Sequence, residues 1–166
     1  MRILSVFSWV VVLWITKVFL FSLPYKFTLH PDTQHIFGTI GVWMKGFLGN
    51  SIGEWFANYG SYAVGSVELI TAIILLSPLV FWLLKKARLL QCAPSRSLVH
   101  AIGGLMASGV MIGAAFFHLF TPLGIEVIHE GQSDGGSLFY AAVSIAILGF
   151  VLFITNYHDY KSKLNQ

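Results

Sequence analysis

The stretch Ser61-Tyr62-Ala63-Val64-Gly65-Ser66-Val67-Glu68-Leu69-Ile70-Thr71-Ala72-Ile73-Ile74-Leu75-Leu76, continued as a largely apolar run to Leu84, decides the fold. About 20 apolar residues in a helix cross the roughly 30 Å hydrocarbon core of a bilayer, and this run is long enough to do so. Glu68 is the one carboxylate inside it. An ionised acid at that depth costs a few kcal/mol or more unless it is paired, protonated or facing a cavity. Glu68 therefore marks either a functional site or a polar tie between helices.

The rest of the composition agrees with a membrane solvent. The chain is 56% hydrophobic and only 10% charged, against about 25% charged residues in soluble domains. Its 166 residues make one domain, residues 1–166, of the all-α class: a polytopic four-transmembrane-helix bundle. Basic residues gather at the ends of apolar runs, so the net charge of +3 reflects orientation and gives no sign of a nucleic-acid partner. Cys92 is the single cysteine, which excludes an intrachain disulfide and a Cys-x-x-Cys redox pair.

Working outward from Glu68, the second span covers about 60–84 and ends at Lys85, Lys86 and Arg88. The first covers about 3–21, follows Arg2 and stops at Pro24. Its Phe-rich end lacks the small-residue cleavage site of a signal peptide, so it reads as a retained helix. Between them, 22–59 is too short and too glycine-rich to span, and reads as an interfacial or re-entrant segment, with Trp43, Trp55, Tyr59 and Tyr62 suited to the headgroup level.

The third span covers about 98–120 and is rich in small residues, with Gly109 and Gly113 spaced for close helix approach. An acidic loop holding Glu126, Glu130 and Asp134 leads to the fourth span, about 137–155, and to a tail with Lys161 and Lys163. Lys85, Lys86, Arg88 and Arg96 make the second connection cytoplasmic by the positive-inside rule. Both termini are then cytoplasmic, and the first and third loops face outward.

Three ionisable groups fall within the spans. Counted at 1.5 Å per residue from the cytoplasmic ends, Lys17 lies about 21 Å up its helix, Glu68 about 24 Å and His118 about 30 Å. The expectation is one polar layer in the outer half of the bilayer. Two readings follow: a Lys17–Glu68 pair that fixes helix registry, or an outward-facing pocket lined by Lys17, Glu68 and His118 that binds a polar headgroup, a quinone or a proton. Small or polar residues share Glu68's face (Ser61, Gly65, Thr71, Ala72) and His118's face (Gly104, Ala107, Ser108, Met111, Ala114, Ala115). On the fourth helix Ser137, Ala141 and Ser144 do the same. These faces should meet.

Histidine pairing could serve haem, because His100 and His118 stand 18 residues apart on one helical face, with His158 near the inner and His30 or His35 near the outer. Both layers would lie at the membrane edges, where single histidines are ordinary, so haem is disfavoured. His30, His35 and His129 with an acid could ligate zinc chemically, but no compact ligand spacing supports it. Nucleotide-binding and hydrolase motifs are missing, and no nucleophile–base–oxyanion set is visible. The enzyme question stays open, leaning towards no catalysis.

The chain resembles the DoxX-like family of small four-helix membrane proteins. The resemblance rests on Ile15-Thr16-Lys17-Val18-Phe19-Leu20-Phe21, on Gly65-Ser66-Val67-Glu68-Leu69-Ile70, and on the third-helix run from Leu105 to His118. It implies a bacterial inner-membrane location and an association with redox systems, through an oxidoreductase partner or a quinone. The expectation is an accessory subunit with an outward-facing polar pocket, in contact with the lipid bilayer and with homo-oligomerisation open. The alternative is a small proton-coupled transporter or carrier using Glu68.

Overall fold

The computed structural model describes residues 2–165, with the side chain of Arg2 outside the description. Five helices and one tiny hairpin follow in order: α1 (Arg2–Phe27), α2 (Pro31–Leu48), α3 (Asn50–Lys86), α4 (Arg96–Phe120), β1 (Ile128–His129), β2 (Gln132–Ser133) and α5 (Ser137–Leu164). Four of them, α1, α3, α4 and α5, are long and apolar enough to cross a membrane. The protein is an all-α, four-helix membrane bundle. Large apolar side chains cover its outer surface, such as Ile3, Val6, Trp82 and Phe120, as lipid contact requires.

Local chemistry accounts for the start of α4 and the continuation of α3. Ser95 caps α4 by accepting from Leu98 N–H, a favoured N-cap arrangement. Within α3, Pro78 has no N–H for the carbonyl four residues back. The Ser77 hydroxyl donates to that Ile74 carbonyl instead, at 2.8 Å, and the helix continues.

Pro24 does not end the first helix. It leaves the Leu20 carbonyl without its usual donor, yet the chain turns once more, and both the backbone N–H and the hydroxyl of Thr28 donate to Pro24 O (3.1 and 2.7 Å). The extra turn brings Lys26 into the bundle, which proves decisive below.

The segment between the first two spans is ordered as a helical hairpin. Helix α2 reverses at Gly49, whose φ of +89° suits a residue without a Cβ, into the first turns of α3. At the crossing, a methyl on Gly41 would lie 2.6 Å from Gly53 O, so only glycine permits the approach. Helix α3 therefore begins at Asn50, about three turns before the expected span. Its 37 residues reach about 55 Å at 1.5 Å each, well beyond the hydrocarbon core.

Helices α4 and α5 pack most extensively. The close approach is made by Gly104 and Gly149: a methyl on either would meet the other's carbonyl oxygen at 2.7 or 2.8 Å. Ser108 Oγ donates to Ala146 O at 2.8 Å beside it. Gly109 and Gly113, expected to form the contact, have nothing within 4 Å of an added Cβ. They face open space rather than a packed helix.

The core runs along the half of the bundle nearer the basic loop, through Val12, Ile15, Phe19, Leu75, Ala107, Ile145 and Leu152. Polar ties fix that end: Ser8 and Asn156 bond across α1 and α5 (2.9 Å), and Ser97 donates to Asp159, which also pairs with Lys163 at 2.5 Å. At the opposite end a second apolar cluster of Ile40, Leu123 and Val127 joins α2 to the α4–α5 connection.

Candidate functional site

Above the tightly packed half the helices diverge. Helices α1 and α3 separate from α4 and α5, and α2 leans across the gap, leaving a cavity of about 850 Å³. Its walls are mostly apolar, including Phe21, Phe37, Val67, Met111 and Phe117. Gly109, Gly113, Ala114 and Ala141 line it too; their small side chains leave the space open. A cavity of this size lies within the range of small-molecule sites.

Lys17, Glu68 and His118 all border this one cavity. The structure changes their relationships. Glu68 is 2% exposed and pairs with Lys26, whose Nζ lies 2.7 Å from Oε1 and 2.5 Å from Oε2. Lys17 is not its partner. Lys26 stands at the level of Glu68, and Lys17 lies nine residues, about 13 Å, nearer the basic end. The depth count failed because α1 and α3 do not start level. Ser22, one turn before Lys26, completes the group: its Oγ accepts from Lys26 at 2.9 Å and lies 2.8 Å from Glu68 Oε2. A buried carboxylate thus has a bidentate cation and a hydroxyl, which is the satisfaction that a buried charge needs.

The expected inward face of α3 is the observed one: Ser61, Gly65, Glu68, Thr71 and Ala72 are buried together. Lys17 takes part in none of the ion pairs among the described residues, which engage Lys26, Lys45 and Lys163. Three residues before it, Trp14 Nε1 donates to Ser144 Oγ at 3.1 Å, joining α1 to α5 along the cavity wall. His118 ends α4 with Nδ1 2.7 Å from Gly124 O. Because a carbonyl only accepts, Nδ1 carries the proton, and the bond ties α4 to the turn that follows it.

The mouth is framed by α2 and the β1–β2 hairpin. Asp32 Oδ1 bonds His129 Nδ1 at 2.8 Å, Asp32 Oδ2 lies 3.2 Å from His30 Nδ1, and the rings of His35 and His129 stack at 4.7 Å. The side chains weighed for zinc thus come together on the surface, but no group of three or more His, Cys, Asp or Glu among the described residues has metal-holding geometry. His100 is buried edge-on against Trp9 at 4.9 Å, and His35 stacks on His129.

Asp134, also on the cavity wall, organises the loop. Its carboxylate accepts from the N–H groups of Val127 (2.8 Å), Gly136 (2.9 Å) and Leu138 (3.0 Å). Burial works to raise its pKa, but those three N–H groups and Ser137 outweigh it and hold the carboxyl below its ordinary value.

Lys26 and Ser22 are the site residues that sequence reasoning missed. Their signal was the spacing of four, which puts both on one helical face. Taking Pro24 as a stop hid it. Comparison of the chain with protein-family models, with curated proteins and with solved structures returns no match.

Proposed function

We propose that this protein is a DoxX-like accessory subunit of the bacterial inner membrane that holds an amphiphilic ligand in an outward-facing cavity and serves a redox partner. The observation that carries the reading is the cavity itself: about 850 Å³ of mostly apolar space bordered by a few polar side chains. That combination suits a molecule with an apolar body and a polar head. A quinone, as the family resemblance implies, is one such molecule. Both termini and the Lys85–Arg96 loop lie in the cytoplasm on this reading, and the cavity opens towards the outer face. The bidentate Lys26–Glu68 pair engages the acid that a proton-coupled carrier would need free, and so gives ligand binding more support than transport.

The test is purification in native lipid, with an absorption spectrum and mass spectrometry of everything that accompanies the protein. An amphiphile in stoichiometric amount, together with a redox protein, is the expected result. A protein accompanied only by bulk lipid would contradict the proposal.

A further inference from the structure

We infer that the cavity selects a single-chain amphiphile with an anionic oxygen headgroup, a carboxylate or phosphate, and that Lys17 is the residue that recognises it. The inference rests on reading the cavity as a ligand site and narrows the class of ligand.

Charge bookkeeping around the wall carries it. Lys26 is neutralised by Glu68. Asp134 is taken up by backbone N–H groups, and Asp32 accepts from His129 Nδ1. Lys17 lines the same wall and makes no ion pair among the described residues, with Glu68 about 13 Å further along the bundle.

An ammonium in apolar surroundings at membrane depth is costly unless an anion or water meets it. Lys17 lies fifteen residues into α1, about 22 Å from its start, too far for its side chain to reach the basic end, and its exposed side chain is open to the cavity. An anionic headgroup supplies the missing counter-charge. The glycines of α4 supply room for the chain attached to it: Gly109 and Gly113 border the cavity and face nothing else within 4 Å. The wall is therefore shaped for an alkyl chain running past α4, with its charged end at α1.

The experiment is competition binding to the full chain in nanodiscs of neutral phosphatidylcholine, in mildly alkaline buffer, with labelled palmitate as probe. Unlabelled hexadecanol, lysophosphatidate and decylubiquinone are the competitors. Palmitate should bind and hexadecanol compete poorly; lysophosphatidate competing better than palmitate would assign the headgroup to phosphate, and the reverse to carboxylate. Lys17→Gln should lower palmitate affinity about ten- to hundredfold, the loss of one charge-assisted bond, and abolish the preference for acid over alcohol. Lys17→Arg should restore that preference. Gly113→Leu should weaken acid and alcohol alike.

Equal competition by hexadecanol, stronger competition by decylubiquinone, or an unchanged Lys17→Gln variant would each overturn the anionic assignment while leaving a cavity that binds amphiphiles. Failure of every probe to bind would overturn the ligand-site reading as well.

Discussion

Lys26 Nζ lies within 2.7 Å of both carboxylate oxygens of Glu68, although 42 residues separate the two in sequence. Removing one member leaves the other charge buried and uncompensated, which costs about 3–5 kcal/mol when both are fully buried. Lys26 is 16% exposed and can rehydrate in part. Glu68→Gln, which leaves Lys26, should therefore cost about 2–3 kcal/mol; Lys26→Met, which strands the buried Glu68, should cost about 3–5 kcal/mol; and the double variant Lys26→Met/Glu68→Leu should recover most of either loss. Lys17→Met should not lower stability, and without an anionic ligand should raise it. Thermal unfolding of each variant in nanodiscs separates the two lysines.

The two glycine pairs of α4 make opposite predictions. Gly104→Ala puts a methyl 2.7 Å from the Gly149 backbone, so α4 and α5 must part, at about 1–3 kcal/mol for overpacking. Gly109→Ala and Gly113→Ala meet nothing and should stabilise by about 0.5–1 kcal/mol through helix propensity. Melting temperatures ranked in any other order would mean that the α4–α5 contact lies elsewhere.

These contrasts show how far the sequence could be read. Hydropathy identified four spans, because lipid exposure demands long apolar runs whatever the packing. The inward face of Glu68 followed from small-residue spacing. That same spacing could not tell which glycines touch a helix and which line a void, since both environments favour a missing side chain. The partner of Glu68 was hidden for another reason. Pro24 removes only its own N–H from the ladder, and α1 runs on past it to Phe27 with Thr28 donating to Pro24 O. The α2–α3 hairpin depends on Gly41 meeting Gly53, a tertiary contact that glycine counting does not reveal.

Acid should loosen the α4–α5 connection. The Asp134 carboxyl is held below its ordinary value of 3.8, so its folded pKa lies beneath its unfolded one. Its stabilising contribution is complete above the unfolded value and is lost as pH falls through the folded value. Cleavage within 121–136 by an acid-active protease should rise below about pH 4. Asp134→Ala should show the faster cleavage already at neutral pH, at a cost of about 0.5–2 kcal/mol typical of a lost cap.

Cys92 offers a direct view of orientation. It is exposed in the connection between α3 and α4, and it is the single cysteine of the chain. A membrane-impermeant maleimide should not label it in intact cells and should label it after permeabilisation. Labelling of intact cells would invert the bundle and turn the cavity towards the cytoplasm.

The most direct test of the central claim, that the glycine-lined cavity is a ligand site, is native mass spectrometry of the wild-type protein beside Gly113→Leu, both released from the same membranes. The account predicts a bound small molecule on the wild type, its loss from the variant, and melting curves that show both proteins folded. Equal occupancy of the two, or a wild type that carries nothing beyond bulk lipid, would contradict it.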